Sequence, residues 1–428
     1  MNATLPFSRG QAALWRERWG TPFYVYDEQG ITDTVREWQA AFAWNPGFRE
    51  YFAVKATPTP AILRLLASVG CGFDCASVPE LVLAASCGAR GSDIMFTSNE
   101  TQPHEYRAAA ELGAIINLDD LTQVTNLAES SGVPETVCCR YNPGAFHGTN
   151  AFMGDLADSK FGMPRDQLFQ AFSLLRDLGA TRFGVHAMLA SCSLDEDYYP
   201  ALARELFSLA NELRRETGID IAFVDLAGGI GIPYRLEDRP VDFVSVGARV
   251  HMAYDELVPP EHPLAIYTEL GRAITGPHGY LVASVVGHKH TFREYVGLDA
   301  SAADLMRPAM YGAHHHISVL GSELDPPDGL FDVVGPLCEN NDKFAVQRPL
   351  PETEVGDLLA LHSAGAHGRS MGYNYNGRPR CGELLLHPDG SAEQIRRRET
   401  IEDLFATLDV DDRFNVPGTS VALDEDAR

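Results

Sequence analysis

The sequence predicts a (β/α)8 barrel followed by a second, mostly β domain. Short apolar segments alternate with amphipathic helical patterns between about residues 30 and 270. Eight such repeats over about 240 residues have the size and rhythm of a barrel of parallel strands surrounded by helices. After residue 275 the helical patterns give way to short strand-like segments joined by turns. We therefore expect an α/β barrel at 30–275 and a β domain that comprises 1–29 and 276–416.

Each barrel strand is predicted from a short segment that is apolar and rich in β-branched or aromatic residues. In chain order these segments are EYFAVKA, GFDCAS, DIMFTS, AIINLDD, TVCCRYNP, RFGVHAMLA, AFVDLAGG and LAIYTELG. Helical periodicity lies between them, in TPAILRLLASVG, VPELVLAASCG, HEYRAAAELG and YYPALARELFSLANELRRETG. Glycines stand where these helices are expected to end, at Gly70, Gly88, Gly113 and Gly218.

The second domain is predicted from five further strand-like segments with few helical patterns between them. They are HGYLVASVVGHKH, EYVGLDA, LFDVVGP, KFAVQRPL and CGELLLHPDG. The last stretch, PGTSVALDEDAR at 417–428, lacks apolar periodicity and is predicted to be a disordered tail.

Composition excludes several classes of function. The chain has 428 residues, of which 45% are hydrophobic and 22% charged, and a formal net charge of −25. No basic cluster is present, so nucleic acids and anionic membranes are poor partners. No signal peptide or membrane-spanning run is found. The eight cysteines form no C-x-x-C pair, and Cys71 with Cys75 has no second pair to complete a zinc site, so we expect a reduced, cytoplasmic protein without a bound metal.

Polar residues and glycines follow the predicted strands at the points where the strands end. A barrel places its chemistry at the carboxyl ends of its strands, so this concentration predicts a functional site. The residues concerned are Lys55, Asp74, Ser77, Asn99, Arg140, His186, Ser191, Gly228, Gly229, Glu269 and Arg272.

The segment YFAVKATP places Lys55 at the end of an apolar strand. One interpretation is a lysine whose stem packs on apolar surface while its ammonium reaches water. The other interpretation is an amine whose pKa is lowered by burial, so that it is ready to form a Schiff base.

Two further motifs bear on this choice. LAGGIGIPY at 226–234 is either a phosphate-binding glycine turn or a plain tight turn. YTELGRAITGP at 267–277 places Glu269 beside Arg272, either as a surface ion pair or as a carboxylate for a protonated ring nitrogen. A reactive lysine, a phosphate loop and a ring-facing glutamate together indicate a pyridoxal phosphate site.

At this point the chain resembles the fold-type III pyridoxal phosphate decarboxylases, which share the alanine racemase-like barrel, and most resembles diaminopimelate decarboxylase. The motifs that carry the resemblance occur in the family's order over roughly residues 20–400. They are YFAVKATPTPAILRLLASVGCGFDCASVPEL, LAGGIGIPY, TELGRAITGP, LMRPAMYGAHH, DVVGPLCENND and GAHGRSMGYNYNGRPR.

The resemblance implies a role for each matching residue. It makes Lys55 the Schiff-base lysine and Cys338 the proton donor, supplied across the interface of a homodimer with shared sites. It implies substrate contacts from Arg307, Tyr311 and Glu339, joined by Arg272 and Tyr375. The residues implied to hold the cofactor are Lys55, Asp74, Arg140, His186, Ser191, Gly228, Gly229, Glu269, Gly271, Arg272 and Tyr375.

The implied activity is removal of the carboxyl group from the D-configured centre of meso-diaminopimelate, which gives L-lysine and carbon dioxide in lysine biosynthesis. The chemistry is coherent, because a thiol such as Cys338 returns a proton to the carbanion and a rigid guanidinium such as Arg307 holds a second carboxylate. A buried apolar role for Cys338 and a solvated role for Arg307 are the alternatives.

The chain departs from the family pattern in three motifs. In HAMLASC, Met188 replaces the histidine that stacks on the cofactor ring and Ala190 replaces a glycine. Elsewhere Ala227 replaces the first of three glycines, and Leu270 replaces a proline. These departures leave open a decarboxylase of another amino acid, such as ornithine, lysine or a carrier-bound substrate. A non-catalytic relative that binds a protein partner is a further alternative. In GAHHHIS, a metal site at His314 and His316 is weighed against histidines that flank a substrate pocket, and the second is preferred.

Overall fold

The computed structural model describes residues 4–146 and 154–409. The chain begins with helix α1 (Arg9–Trp19), which Ser8 caps by accepting from the backbone N–H of Gln11, and strand β1 (Phe23–Asp27). The predicted tail at 417–428 lies outside the described residues.

Eight parallel strands then form a closed barrel, as the sequence predicts. The last strand pairs with the first, through Arg49 with Tyr267 and Glu50 with Thr268. The barrel strands are β2 (Arg49–Ala53), β3 (Gly72–Cys75), β4 (Ile94–Thr97), β5 (Ile115–Leu118), β6 (Thr136–Arg140), β7 (Arg182–His186), β8 (Ile221–Asp225) and β9 (Ala265–Thr268).

Helices surround this barrel and bury apolar faces on it. The longest of them ends at Gly218, whose left-handed φ of 72° favours glycine. The helices of this region are α2 (Glu28–Ala41), α3 (Pro60–Ser68), α4 (Val78–Ser86), α5 (Pro103–Glu111), α6 (Thr122–Ser131), α7 (Arg165–Asp177), α8 (Tyr198–Thr217), α9 (Phe243–Leu257) and α10 (Arg272–Thr275).

The rest of the chain forms a separate, mostly β sheet with two short helices. The five strands predicted from the sequence are present, and β12, β15 and β17 are additional. The elements are β10 (Gly279–His290), β11 (Glu294–Leu298), α11 (Arg307–Tyr311), β12 (Ile317–Val319), β13 (Gly329–Val334), β14 (Lys343–Leu350), β15 (Leu358–Leu361), β16 (Gly382–Leu386), β17 (Ala392–Arg396) and α12 (Ile401–Phe405).

The amino-terminal strand belongs to this same sheet. Strand β1 lies between β10, with which it is antiparallel, and β16, with which it is parallel. The strand order is β14-β13-β11-β10-β1-β16-β17, and β15 pairs with both β10 and β12. Within the described part of the chain, every helix is too short or too polar to span a lipid bilayer.

Glu50 is a buried carboxyl on β2 with incomplete hydrogen bonding. The hydroxyl of Thr268 donates to Glu50 Oε2 at 2.5 Å, and Trp38 Nε1 donates to the same hydroxyl at 3.0 Å. Glu50 Oε1 has no hydrogen-bond partner among the described residues. Burial raises the pKa of Glu50 well above its ordinary value, and the nearby charge of Glu269 adds to the effect.

We predict that Glu50→Gln stabilises the protein at neutral and alkaline pH. An unfolded glutamate loses its proton near pH 4.3, whereas folded Glu50 keeps its proton to higher pH. Above the unfolded pKa the folded state therefore binds more protons, and wild-type stability falls as pH rises. Thermal unfolding of both proteins between pH 5 and pH 8.5 should show a Tm gap that widens with pH. Glu37→Gln, at an exposed position on α2, is the control, and parallel curves for Glu50→Gln and wild type would contradict the prediction.

Candidate active site

A pocket of about 510 Å³ opens at the carboxyl ends of the barrel strands. It contains side chains that the sequence predicts separately, from seven different stretches of the chain. Arg307 and Tyr311 reach it from α11 of the second domain, and the remainder belong to the barrel region. The predicted residues that line it are Lys55, Asp74, Asn99, Arg140, His186, Ser191, Glu269, Arg272, Arg307 and Tyr311.

Lys55 enters the pocket from a short 3-10 turn, Val54–Ala56, that follows β2. The neighbours Val54 and Ala56 are buried, while the Lys55 side chain is 50% exposed toward the pocket. Lys55 Nζ donates to Asp74 Oδ2 at 2.9 Å.

The expectation that burial lowers the pKa of Lys55 is wrong for this arrangement. Burial does disfavour the ammonium, but the charges of Asp74 and Glu269 and the hydrogen bond that Lys55 donates to Asp74 outweigh it, so the pKa is raised. Burial and the charge of Glu269 in turn raise the pKa of Asp74 to about 7, against the opposing effect of Lys55. Asp74 therefore stabilises the ammonium form of Lys55, while burial opposes the ionisation of Asp74 itself.

Glu269 lies buried after β9 and contacts His186 at the end of β7. His186 Nε2 and Glu269 Oε2 are 3.2 Å apart. Burial opposes ionisation of Glu269, but the charges of His186, Lys55 and Arg140 with the His186 hydrogen bond lower its pKa. Glu269 is consequently an ionised carboxylate at neutral pH.

Asp225, at the end of β8, is a third member of this group that sequence analysis missed. The signal was a polar residue at the end of an apolar strand in AFVDLAGG. Burial and the charge of Glu269 raise its pKa well above the ordinary value. Ligand atoms of His186, Asp225 and Glu269 lie within 4.8 Å of one another, a spacing that a metal ion could also use. The absence of a metal stays a prediction.

Arg140, at the end of β6, forms the opposite wall of the pocket. It is buried, pairs with Asp119 at 3.4 Å, and its guanidinium stacks on the Phe161 ring at 4.5 Å. Burial lowers the pKa of Arg140, and Asp119 counteracts this effect.

Two further guanidinium groups, those of Arg272 and Arg307, converge on Tyr234. Arg272 Nη1 donates to the Tyr234 hydroxyl at 2.7 Å, and the Arg307 guanidinium lies 4.6 Å from the centre of the Tyr234 ring. Among residues 4–146 and 154–409, neither arginine forms an ion pair with a carboxylate. Burial lowers the pKa of Arg307, and the charge of Arg272 acts in the same direction.

The glycine turn after β8 packs tightly beside the pocket. A Cβ at Gly228 would lie 2.7 Å from the carbonyl oxygen of Glu269, and Gly229 has a φ of +108°. A Cβ at Gly271 would lie 2.8 Å from that of Ala56. Close packing alone therefore requires these glycines, and their contact with a phosphate stays a prediction.

Besides the three glycines, three further predicted site residues lie outside the pocket. Cys338 is exposed, and its backbone N–H donates to Asn376 Oδ1 at 2.7 Å. Tyr375 is 42% exposed, and its pKa is raised by a hydrogen bond with Glu339. Cys338, Glu339 and Tyr375 thus form a surface group on the second domain, separate from the pocket of their own chain.

His367 lines the pocket and was missed, although GAHGRSMGYNYNGRPR was recognised as a motif. Its backbone has a φ of 53°, rare for a side chain of this size, and its N–H donates to the Ala56 carbonyl at 2.9 Å. Burial and the charges of Arg272, Lys55 and Arg307 lower its pKa to about 3, so its imidazole is neutral.

The pocket fits pyridoxal phosphate on its own chemistry. Three pocket atoms, Asp74 Oδ1, Asn99 Oδ1 and Glu269 Oε1, are buried and have no hydrogen-bond partner among the described residues. Buried polar atoms of this kind require a partner, and a ligand with donor groups supplies it. The lysine amine and the cationic side chains complement an aldehyde and a phosphate.

Comparison with known proteins agrees with this chemistry. Residues 28–276 match the model of the pyridoxal binding domain of pyridoxal-dependent decarboxylases. The chain is 44% identical over 383 residues to protein TabA of Pseudomonas amygdali pv. tabaci, and the match covers 90% of each chain. It is 34% identical over 404 residues to the diaminopimelate decarboxylase of Methanothermobacter thermautotrophicus, covering 93% of this chain and 94% of the relative.

Solved structures give the same result. The crystal structure of diaminopimelate decarboxylase from M. jannaschii superposes with a TM-score of 0.86 at 30% identity, over 94% of this chain and 95% of that chain. The family model and the matched relatives each cover more than half of the chain. The chain therefore belongs to the pyridoxal-dependent decarboxylases of fold-type III, which are carboxy-lyases that use pyridoxal phosphate.

Proposed function

We propose that this decarboxylase acts on meso-diaminopimelate and releases L-lysine and carbon dioxide. The observation that carries the proposal is the pair of guanidinium groups of Arg272 and Arg307, which share a pocket with Lys55 and have no carboxylate partner among the described residues. A buried cation requires a counter-charge. A substrate with a second carboxylate supplies it, whereas ornithine and lysine do not.

Bound pyridoxal phosphate supplies an electron sink for the pair of electrons left when the bond to the carboxyl group breaks. The chain's own residues prepare the site for it. The ionised Glu269 can hold a proton on the ring nitrogen, and His186 fixes the orientation of that carboxylate through Nε2. Asp74 keeps the Lys55 amine in place by accepting a hydrogen bond from it. Arg140 and Ser191 are the pocket residues that we assign to the phosphate, which leaves Arg272 and Arg307 for the substrate.

After carbon dioxide leaves, the substrate carbon must gain a proton. No thiol lines the pocket within the described residues. We assign this step to the partner subunit's Cys338, because Cys338, Glu339 and Tyr375 of each chain lie exposed on the second domain, where they can reach another subunit. The homodimer with shared sites is therefore part of the proposal. Cytoplasmic location and a role in lysine biosynthesis stay predictions.

A second candidate is decarboxylation of another amino acid, free or carrier-bound. The observation in its favour is the 44% identity to protein TabA, which exceeds the 34% identity to the diaminopimelate decarboxylase of M. thermautotrophicus. Met188 in the pocket wall, in place of the family's histidine, points the same way. A substrate panel monitored for carbon dioxide release and product identity separates the two candidates.

We predict that Lys55→Ala abolishes turnover and removes the visible absorbance of the covalently attached cofactor. The amine is the pocket's nucleophile, and none of the other described residues of the pocket is a lysine. Absorbance spectra after reconstitution with pyridoxal phosphate, together with carbon dioxide release, measure both effects. Lys289→Ala, at an exposed strand position, is the control and should behave as wild type. Retention of covalent cofactor by Lys55→Ala would refute the assignment.

We predict that Arg307→Ala lowers kcat/KM on meso-diaminopimelate selectively. Loss of one charged partner of a buried carboxylate costs about 2–5 kcal/mol, which is a fall of roughly tens- to thousands-fold. D-lysine is the matched comparison substrate, because it differs only by lacking the distal carboxylate, and the loss on it should be far smaller. Arg64→Ala, at an exposed position on α3, is the control. Equal losses on both substrates would make Arg307 a structural residue.

We predict that two inactive variants restore activity when mixed. Under random 1:1 exchange, half of the dimers are mixed and one of the two sites in each is complete, so Lys55→Ala with Cys338→Ala should regain about a quarter of the wild-type sites. Activity is measured before and after exchange, and mass spectrometry of the intact dimers verifies that exchange has occurred. Demonstrated exchange without recovery would place both residues in the site of one subunit.

A further inference from the structure

Arg307 is held by a histidine whose protonation state follows from its hydrogen-bond partners. His315 is fully buried between α11 and β12, and its Nδ1 lies 2.8 Å from the carbonyl oxygen of His362. A carbonyl oxygen only accepts, so Nδ1 carries the hydrogen. On the other side of the ring, His315 Nε2 lies 3.1 Å from Arg307 Nη1. A guanidinium only donates, so Nε2 carries none.

His315 is therefore a neutral imidazole that accepts a hydrogen bond from Arg307. Burial and the charge of Arg307 lower the pKa of His315 to about 3, in agreement with this geometry. A single orientation of the His315 ring follows.

Tyr234 completes the support. Its ring lies edge-on to His315 with centroids 5.3 Å apart, its face contacts the Arg307 guanidinium, and its hydroxyl accepts from Arg272. Both arginines are thus positioned by neutral groups. A carboxylate in the place of His315 would hold Arg307 equally well but would neutralise it, and an acidic substrate would then have to displace that charge.

We propose that His315 is a positioning residue that determines specificity, because it orients Arg307 without neutralising it and so leaves the guanidinium charge for the distal carboxylate of the substrate. The inference rests on the proposed function, in which Arg307 binds that carboxylate. The enzyme would then prefer a dicarboxylic amino acid because the side chain at position 315 carries no charge.

A matched pair of substitutions separates the charge of the side chain from its shape. Gln and Glu are nearly isosteric, and each can place an acceptor near the position of the imidazole Nε2. KM and kcat are measured for wild type, His315→Gln and His315→Glu on meso-diaminopimelate and on D-lysine. We expect His315→Gln to reduce the wild-type preference for meso-diaminopimelate by a few-fold, and His315→Glu to reduce it at least tenfold further, mainly through KM on meso-diaminopimelate.

Two additional proteins complete the experiment. Ser131→Glu adds the same charge at the exposed end of α6 and should leave the preference unchanged, which excludes an effect of net charge. If His315→Glu does not fold, as judged by circular dichroism, His315→Leu replaces it, because leucine removes the acceptor without adding a charge. The preference should then be lower in His315→Leu than in His315→Gln.

Each outcome has one meaning. Equal losses of preference in the Gln and Glu variants, or in the Gln and Leu variants, would overturn the inference and make His315 a packing residue. A wild type that handles meso-diaminopimelate no better than D-lysine would overturn the proposed function itself, and this inference with it. A preference that survives Gln but collapses with Glu supports both.

Discussion

The pocket at the open end of the barrel concentrates more ionisable groups than a poorly hydrated site tolerates unless their charges are balanced. Transfer of a single charge from water into a protein interior costs several kcal/mol, so each group here requires a partner or must become neutral. Lys55 is balanced by Asp74 and Arg140 by Asp119, and these two cations lower the pKa of Glu269 together with the His186 contact. For Asp225, burial and the charge of Glu269 raise the pKa, which favours its neutral form. The arrangement leaves Arg272 and Arg307 as the cationic side of the pocket and Asp74 with Glu269 as the acidic side.

The arrangement of charges in the pocket depends on how firmly the second domain is held against the barrel, because Arg307 and His315 both belong to the second domain. Buried Glu383 on β16 makes this attachment. Its Oε1 accepts from the Tyr26 hydroxyl at 2.7 Å, its Oε2 accepts from Thr59 at 2.8 Å, and it also pairs with Arg396. Thr59 is only four residues beyond Lys55. The network therefore connects the segment that carries Lys55 to the sheet of the second domain, and it holds the two parts of the pocket in a fixed relative position.

Sequence patterns predicted the barrel because its strands are local features. Each of the eight was visible as a short apolar segment, and each occupies its predicted place. Residues at strand ends, such as Lys55 and Glu269, were predicted for the same reason, since the fold brings strand ends together. The pKa of Lys55 was predicted wrongly because its determinant, Asp74, comes from the next strand, and a pairwise distance of 2.9 Å is not encoded in local pattern.

His315, Tyr234 and His367 were missed for a related reason. Their roles arise from contacts with Arg307, Arg272 and Ala56, which depend on how two domains meet and not on any periodicity. The sequence did draw attention to GAHHHIS, but through the outer histidines. His314 and His316 are only partly buried, whereas the middle histidine is buried against the pocket. The prediction treated GAHHHIS as a strand, in which alternate residues share a face. The strand begins only at Ile317, so that alternation does not apply to the three histidines.

Ala227, one of the departures from the family pattern, lies in the turn that holds the backbone of Glu269. Ala227 has a φ of +54°, a conformation that costs an alanine about 1 kcal/mol relative to glycine. In this conformation its N–H donates to Asp225 Oδ1 at 2.8 Å, and its carbonyl accepts from the backbone of Glu269 at 2.7 Å and from the Tyr199 hydroxyl at 2.6 Å. These three hydrogen bonds stabilise the conformation of the turn, and since they use only backbone groups of residue 227, glycine would make them equally. They also connect the carboxyl group of Asp225 to the backbone of Glu269, so the turn supports the pocket whether alanine or glycine occupies it.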